Sequence, residues 1–276
     1  MGQITDRYVI SLKGSPRREA FFSQPGVADF VVWDAFDGRT GAGRDRFDVI
    51  AFERRAGRPP EGGEIGCTLS HAGLLAKFAA GAGHPDDLML VAEDDVVFTP
   101  DFEAVLGRVA RTHGWDWALL AQPLEDPFQD PFWAKNRDRA PQSLLAKPVG
   151  PPSSPWRYRL GNWDGELWGT GLYLVTREAA RALTHHAAQE GLSWVADDYV
   201  TWHAAAGVKV WILLPTIAGW VGESEINATT RPHLQIQSYA AHPMGRQAWS
   251  RRVSRFCAGA RIAWKEMRGD TRPWAS

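Results

Sequence analysis

Residues 88–95 read LMLVAEDD, an apolar run that leads directly into three carboxylates. A short run rich in Leu and Val that is followed by polar residues, and then by Thr99 and Pro100, is typical of a buried strand that ends at the rim of a sheet. Open α/β sheets bind their ligands at that rim. The stretch therefore predicts an α/β sheet with a ligand site where this strand ends.

The carboxylates at residues 93–95 predict a bound cation. Alternation along a strand would place Glu93 and Asp95 on one face, where their negative charges repel each other. A hard divalent ion such as Mn²⁺ or Mg²⁺, which also binds phosphate oxygens, accepts ligands that are all oxygen. The alternative is that the triplet forms a solvated turn or the acidic first turn of a helix.

The surrounding sequence alternates predicted strands with predicted helices. Strands are predicted at residues 8–12, 30–33, 88–92, 117–120, 172–176 and 209–214. Helices are predicted at residues 17–23, 65–79, 102–112, 177–188 and 197–206. Such alternation is typical of a mostly parallel sheet with crossover helices.

Composition sets limits on the class of protein. A chain of 276 residues with 44% hydrophobic residues can bury a sizeable core, and its net charge of -1 offers no case for general nucleic-acid binding. Cys67 and Cys257 are far apart and form no metal-ligand pair or disulfide framework, which suits a reducing cytoplasm. The N-terminus shows no charged-then-apolar leader, and no apolar stretch is long enough to span a bilayer. We therefore expect a cytoplasmic protein.

Several motifs, in their order along the chain, resemble those of glycosyltransferase family 25, the lipopolysaccharide-type sugar transferases. The most specific pair is GEIGCTLSH at residues 63–71 with EDD at residues 93–95. The other segments are residues 8–12 with Pro16 and Arg18, residues 35–38, residues 169–175, and residues 196–200 followed by Gly207 and Pro215. The similarity runs over roughly residues 7 to 226. One departure is Ser11, where the family more often has Asn.

The resemblance implies a fold and an activity. The expected fold is a GT-A-type, Rossmann-like, mostly parallel sheet with flanking helices, which forms a catalytic domain over residues 1–239. The expected reaction is an inverting transfer of a hexose, with galactose from UDP-galactose favoured, onto a bacterial surface glycan such as lipooligosaccharide. UDP-glucose or another hexose donor is the alternative within this class. Outside it stand a non-catalytic, Trp-rich carbohydrate-binding protein and a metal-dependent phosphohydrolase, although the latter would need a nucleophile or a second metal cluster.

The resemblance also implies a donor site. Asp95 is the first candidate ligand for Mn²⁺ or Mg²⁺ and Glu93 the second, because a divalent ion neutralises the diphosphate that a UDP-sugar leaves behind. The remaining residues expected to bind the donor are Leu12, Arg18, Asp37, Asp94, Gly169 and Thr170. For two of them a structural role is the alternative: Arg18 as a solvated arginine at a helix start, and Asp37 as a turn residue.

An inverting transferase needs a general base that takes the proton of the acceptor hydroxyl. Asp197 matches the family's acidic motif, and Asp198 is the second candidate. An Asp pair of this kind can instead cap a helix. Glu166 is a third candidate for the base.

Histidines extend the list of candidates. We expect His71 to be a hydrogen-bonded core residue. Later histidines that could complete the metal shell are His203, His233 and His242, and the sequence does not rank them.

Residues 122–162 form a connection that is much longer than usual and rich in proline. Loops of this length in compact domains are often lids, which predicts an acceptor-side lid here. Trp133, Trp156 and Trp163 either stack on acceptor sugar rings or hold the loop against the core.

Residues 240–276 differ in character, with eight Arg and Lys against two Asp and Glu. Their apolar residues recur at spacings of three and four, which predicts a basic amphipathic helical extension. The stripe comprises Trp249, Val253, Phe256, Ala260, Trp264 and Met267. This stripe either contacts the anionic inner membrane, where a lipid-linked acceptor resides, or docks onto the catalytic domain.

Overall fold

A mixed eight-stranded sheet lies at the centre of the computed structural model, which describes residues 2–123, 141–163, 169–220 and 246–269. The strands are β1 (Ile4–Ser11), β2 (Val31–Asp34), β3 (Leu88–Glu93), β4 (Val96–Phe98), β5 (Trp117–Leu119), β6 (Ala121–Pro123), β7 (Lys147–Pro148), β8 (Arg159–Gly161), β9 (Leu172–Thr176), β10 (Val210–Leu214) and β11 (Ala218–Trp220). The helices are α1 (Arg17–Phe22), α2 (Val49–Ala56), α3 (Gly62–Ala80), α4 (Phe102–Ala110), α5 (Arg177–Glu190) and α6 (Arg246–Met267).

The strand order of the large sheet is β2-β1-β3-β9-β5-β10-β8-β7. Within the described chain, β1 runs parallel to both β2 and β3, and β5 runs parallel to β10. In contrast, β9 is antiparallel to both of its neighbours, and β8 is antiparallel to β10 and β7. Most strands therefore point one way, which confirms the predicted Rossmann-like α/β class. The strand at residues 172–176 was predicted but its reversed direction was not, and β8 was not predicted as a strand.

Strand β3 is buried on both faces, which explains its continuous apolar run. Met89 and Val91 pack on the face that α3 and α5 cover, whereas Leu88, Leu90 and Ala92 pack on the face that α4 covers. A strand with no solvent face has no position for a polar residue. The first carboxylate, Glu93, therefore lies at the end of the strand, where the side chain is no longer buried.

The chain turns immediately after β3 and enters a second, three-stranded sheet with the order β4-β11-β6. Asp94 and Asp95 form the turn between β3 and β4. The expectation that Glu93 and Asp95 share a strand face is therefore wrong, because the strand ends at Glu93. The turn is nevertheless not a solvated one, since the side chains of Asp94 and Asp95 are only 11% and 21% exposed.

Helix α3 approaches the turn after β2 through glycines. A Cβ atom on Gly66 would lie 2.6 Å from the carbonyl oxygen of Phe36 and 2.7 Å from the nitrogen of Gly38. A Cβ atom on Gly38 would overlap the backbone of Gly62 in return. This contact places the first turns of α3 beside residues 36–38, and so sets the position of one wall of the site described below.

Four of the five predicted helices are present as α-helices in the structure, and the fifth is not. Residues 197–206 were predicted to be one helix, but Tyr199–His203 forms a single π-helical turn instead. Side-chain packing overrides local propensity there, because Trp202 and His203 are both buried. Helix α2 was not predicted.

The proline-rich segment at residues 122–162 is only partly a loop. Strands β7 and β8 add to the edge of the large sheet, and Val149 and Tyr158 are buried. The lid prediction is thereby restricted to residues 124–140, which lie outside the described residues together with Trp133. Trp163 is buried in the core on one face of the sheet, and Trp156 packs against the core on the other face. These two rings therefore hold the segment in place.

Helix α6 docks onto the domain, but not through the predicted stripe. Ala258, Ile262 and Ala263 are buried, and the Leu144 amide donates to the Gly259 carbonyl at 3.2 Å. In contrast, the stripe residues Phe256, Trp264 and Met267 are 63%, 53% and 70% exposed. The alternative that this stripe covers the domain is wrong for these three residues. The boundary near residue 240 stays a prediction.

None of the helices in the described part of the chain is both long enough and apolar enough to cross a membrane.

The glycine contact of α3 yields a matched pair of substitutions. Gly66→Ala should lower the free energy of unfolding by roughly 1–3 kcal/mol, because the new methyl group meets backbone that cannot move aside cheaply. Gly73→Ala in the same helix should raise it by up to about 1 kcal/mol, because alanine is the better helix former and its Cβ would meet only the Trp33 ring, at 3.4 Å. Urea unfolding measures both. A Gly66→Ala protein as stable as Gly73→Ala would contradict the close contact.

Candidate active site

A cleft of about 680 Å³ opens where β1, β2 and β3 end and α3 begins. It is lined by residues 10–12, 15, 17, 35–39, 61–63, 67, 70–71 and 93–95. Of the residues predicted to bind donor or metal, it therefore brings together Leu12, Asp37, Glu93, Asp94 and Asp95. The ends of parallel strands meet at this edge, as expected for an α/β sheet.

Glu93 and Asp95 form an electrostatically strained pair. Burial, together with the neighbouring charge of Glu93, raises the pKa of Asp95 to about 7. Burial acts to raise the pKa of Glu93 as well, but His71, Thr170 and Arg17 outweigh it, and the pKa of Glu93 is lowered. The buried Oδ1 atom of Asp95 has no hydrogen-bond partner among the described residues. Both features fit a pair of carboxylates whose positive partner is a metal ion.

Arg17 is the basic residue of the cleft wall that lies beside the aspartates. Its Nη1 atom lies 3.9 Å from Asp94 Oδ1 and 3.6 Å from Asp95 Oδ2. Arg18 instead donates from Nε to Ser11 Oγ at 2.9 Å and from Nη2 to Asp34 Oδ1 at 2.6 Å. Arg18 thus joins β1 to β2 and does not line the cleft, so its placement does not support the predicted role in donor binding.

Asp94 is held by the turn that follows β1. Its Oδ2 atom accepts hydrogen bonds from Ser11 Oγ and from Ser15 Oγ, both at 2.7 Å. Ser11, at the position where the family more often has Asn, therefore helps to orient the Asp94 carboxylate. Asp94 retains a place on the cleft wall, and its predicted contact with a ribose hydroxyl stays a prediction.

Asp37 both lines the cleft and stabilises a turn. Its carboxylate accepts from Arg39 Nε at 2.8 Å and from Arg39 Nη2 at 2.7 Å. The hydrogen bonds from the Arg39 side chain lower the pKa of Asp37. Asp37 thus has the turn role that was the alternative prediction. It also lies where a donor nucleoside could reach it.

Gly169 and Thr170 connect the candidate metal ligand to the candidate base. Thr170 Oγ1 donates to Glu93 Oε1, and the Gly169 amide donates to Asp197 Oδ2 at 2.7 Å. The Tyr199 hydroxyl donates to the Gly169 carbonyl at 2.6 Å. Neither Gly169 nor Thr170 lines the cleft, so their visible role is to position carboxylates. Direct donor binding by either residue stays a prediction.

The two aspartates of the acidic motif face different neighbours. Asp197 accepts from Gly169 and lies near enough to the cleft to contribute, after burial and Glu93, to the raised pKa of the Cys67 thiol. Asp198 lies 3.9 Å from Arg55 Nε of α2. Asp197 thus lies within electrostatic range of Cys67 but does not line the cleft, whereas Asp198 is paired with Arg55 of α2. Glu166 lies outside the described residues.

The histidines fall into separate environments. As predicted, His71 is a hydrogen-bonded core residue, with Nδ1 2.9 Å from the Tyr173 hydroxyl. His203 is packed among Trp117, Tyr199 and Trp202, and burial lowers its pKa to about 3. His203 therefore does not complete a metal shell at the cleft. His233 and His242 lie outside the described part of the chain.

Sequence reasoning missed Arg17, Ser15 and Cys67 as cleft residues. Arg17 and Arg18 are adjacent in sequence, and only the direction of the first turn of α1 decides which one points inward. Cys67 carried a usable signal, because it lies one helical turn before His71 in a segment already recognised as specific.

The comparison with family models supplies the decisive observation. Residues 4–201, which contain every residue of the cleft, match glycosyltransferase family 25 (LPS biosynthesis protein). The chain belongs to glycosyltransferase family 25. The protein is therefore an enzyme of the glycosyltransferase class in a family assigned to lipopolysaccharide biosynthesis, and such an enzyme uses a sugar donor and a glycan acceptor.

Other comparisons of the family 25 chain add little. Curated proteins give no match. Among solved structures, A197 from STIV is similar with a TM-score of 0.40 and 12% identity, covering 80% of this chain and 87% of that chain. The inositol-1-phosphate CTP transferase from T. maritima is similar with a TM-score of 0.35 and 10% identity, covering 94% and 98%. Similarities of this size carry no argument about function.

The placement of the two arginines generates a prediction. Arg17→Gln should weaken UDP binding in the presence of Mn²⁺ by roughly 10-fold or more, the contribution of a charge-assisted hydrogen bond to phosphate. Arg18→Gln should leave the affinity almost unchanged but lower the melting temperature, because it removes the link from β1 to Asp34. Calorimetric titration and thermal melting of both variants are the measurements. An equal loss of UDP affinity in Arg18→Gln would return the donor-binding role to Arg18.

Proposed function

We propose that this family 25 enzyme is a GT-A-type, metal-dependent, inverting hexosyltransferase that transfers galactose from UDP-galactose to lipooligosaccharide. The observation that supports it best is the buried Glu93–Asp95 pair, whose raised and lowered pKa values and orphaned Asp95 oxygen suit a divalent cation. The identity of the donor sugar and of the acceptor rests on the family alone. UDP-glucose is the alternative donor, and parallel assays with the two nucleotide-sugars distinguish them.

Asp95 and Glu93 would hold Mn²⁺ or Mg²⁺ in this mechanism. When bound, the ion supplies positive charge to the diphosphate oxygens as they become the leaving group. Thr170, which does not line the cleft, keeps Glu93 oriented through a hydrogen bond to its Oε1 atom. The chain thus supplies two oxygen ligands on a rigid support.

Donor binding would use the walls of the cleft. Arg17 lies beside Asp94 and Asp95, where its guanidinium can pair with a phosphate of the donor. Leu12 and Asp37 line the part of the cleft next to the ends of β1 and β2, which is open to the nucleoside. Asp94, held by Ser11 and Ser15, would accept a hydrogen bond from a ribose hydroxyl.

Asp197 is the proposed general base. The acceptor oxygen forms a bond to the anomeric carbon while the bond from that carbon to the diphosphate breaks, and the hydroxyl proton passes to Asp197. The hydrogen bond from Gly169 keeps the Asp197 carboxylate in place. Asp198 is the weaker candidate, because its ion pair with Arg55 directs it toward α2.

Helix α6 supports a proposal for where the enzyme works. Phe256, Trp264 and Met267 are exposed, and Arg261 and Arg268 are exposed close by on the same helix. An exposed apolar stripe with a basic flank suits the surface of an anionic membrane. We therefore propose a cytoplasmic enzyme that contacts the inner membrane peripherally, near a lipid-linked acceptor, and that has no nucleic-acid partner.

A non-catalytic carbohydrate-binding protein is the alternative from another class. Its predicted sugar-binding tryptophans would need open ring faces, but of the two that the structure describes Trp163 is buried and Trp156 packs against the core. It would also leave the orphaned Asp95 oxygen unexplained. UDP binding that requires Mn²⁺ favours the transferase, and sugar binding without metal favours the binding protein.

The metal assignment predicts the effect of Asp95→Asn. This variant should lose Mn²⁺-dependent UDP binding, because an amide supplies no negative charge to the ion. Its folding should be intact or improved, since the substitution also removes a buried carboxylate with a raised pKa. Calorimetry with UDP in the presence and absence of Mn²⁺ measures the first effect and thermal melting the second. Unchanged UDP affinity would remove Asp95 from the metal site.

The base assignment predicts that Asp197→Asn lowers turnover by roughly 10²- to 10⁴-fold, with UDP affinity nearly unchanged. The amide oxygen still accepts from Gly169, but the group no longer takes a proton. Asp198→Asn is the matched control and should retain most activity. Steady-state kinetics with a purified acceptor measure both variants. The reverse pattern would transfer the role to Asp198, and activity in both variants would make Glu166 the next residue to test.

A further inference from the structure

A thiol, an imidazole and a carboxylate converge at the back of the cleft. Cys67 and His71 lie four residues apart on α3, so both side chains project from the same face of the helix. That face meets the end of β3, where Glu93 lies. The three candidate ligand atoms, Cys67 Sγ, one ring nitrogen of His71 and one carboxylate oxygen of Glu93, are all within 4.8 Å of one another.

His71 is prepared for a ligand that the described residues do not supply. It is 2% exposed, and its Nε2 atom has no hydrogen-bond partner within the described chain, although Glu93 Oε1 lies 3.4 Å away. Its other nitrogen, Nδ1, is held at 2.9 Å by the Tyr173 hydroxyl. When a metal ion is bound, Nδ1 would carry the ring proton and donate it to the Tyr173 hydroxyl, which leaves the Nε2 lone pair for the ion. A metal-binding histidine is oriented by its second nitrogen in the same way.

We propose that Cys67, His71 and Glu93 form a zinc-binding site that is distinct from the all-oxygen site of Glu93 and Asp95. Sulfur and imidazole ligands suit Zn²⁺, whereas Mn²⁺ and Mg²⁺ suit carboxylates. Because Cys67 lines the cleft, a zinc ion can enter and a fourth ligand, such as water, can reach it. On binding, a zinc–sulfur bond forms and the thiol proton of Cys67 is released to solvent.

The zinc site and the all-oxygen site share Glu93, so the two metal ions cannot both use its carboxylate fully. Zinc bound at Cys67 and His71 would take the Glu93 carboxylate away from the site for the donor's metal ion. Zn²⁺ is therefore an inhibitor that competes with Mn²⁺. This consequence rests on the proposed function, whereas zinc binding itself does not.

The test uses the full chain with Cys257→Ser, which leaves Cys67 as the single thiol. Co²⁺ is the probe, because a thiolate bound to Co²⁺ gives a charge-transfer absorption in the near ultraviolet. We expect that absorption to appear with one equivalent of Co²⁺, to disappear when Zn²⁺ displaces the probe, and to need a higher Co²⁺ concentration when Mn²⁺ is present, because Mn²⁺ competes for Glu93. Asp95→Asn in the same background should retain it, since Asp95 belongs only to the all-oxygen site.

Two further variants examine the ligands. Cys67→Ser should abolish the absorption. Tyr173→Phe should raise the Kd for Zn²⁺ by roughly 10- to 100-fold, the usual effect of losing the group that orients a metal-bound histidine. Circular dichroism and thermal melting establish that each variant is folded. No absorption in the folded Cys257→Ser protein, or the same absorption in Cys67→Ser, would overturn the proposal.

A second measurement needs no variant. Zn²⁺ should slow the alkylation of Cys67 in the native chain while exposed Cys257 reacts at an unchanged rate, and equal labelling of Cys67 with and without Zn²⁺ would contradict the site. Failure of the proposed function gives a different result. Zinc binding without Mn²⁺-dependent UDP binding would overturn the hexosyltransferase mechanism alone, and the converse would overturn the zinc site alone.

Discussion

Burial of negative charge where β3 ends is the constraint on which the site depends. Two half-buried carboxylates, Glu93 and Asp95, line the same cleft, and burial opposes the ionisation of both. Neighbouring groups offset part of the cost of burying these charges. Arg17 supplies a positive charge, and Thr170 donates a hydrogen bond to Glu93. Among the described residues, no group forms a hydrogen bond with Asp95 Oδ1, so these neighbours offset the cost only in part.

The rest of the fold holds these groups in position. Helices cover both faces of β3, so Glu93 is presented from a rigid support. The antiparallel strand β9 places Thr170, which precedes it, next to Glu93. If β9 ran parallel to β3, its first residue would lie beside the start of β3, far from Glu93. The direction of one strand thus determines that residues 169–170 reach the cleft region.

The zinc proposal and the transferase proposal draw on different parts of the same cluster. Oxygen ligands at the turn suit a hard ion that works with phosphate, whereas Cys67 and His71 on α3 suit a softer ion. Because Glu93 stands between the two groups, the protein has one carboxylate that two kinds of metal can use. Competition between metals is then a direct result of the packing of α3 against β3.

Much of the fold could be predicted from local sequence patterns. The apolar run at residues 88–92, the alternation of strands and helices, and the acidic triplet indicated an α/β sheet with a polar site at the end of one strand. Each of these signals lies within a few residues, because strand burial and helix periodicity are local properties. The same holds for the motifs that indicated family 25. By itself, the sequence determined the class of protein and the neighbourhood of its site.

Only the tertiary structure decided which side chains meet there. It selected Arg17 over its neighbour Arg18, directed Asp197 to Gly169 and Asp198 to Arg55, and turned Phe256, Trp264 and Met267 of α6 away from the domain. These outcomes depend on contacts between residues that are distant in sequence, and on helix orientations that one residue of rotation would change by about 100°. Local patterns carry no information about such contacts, because the partner of each side chain is supplied by another part of the chain.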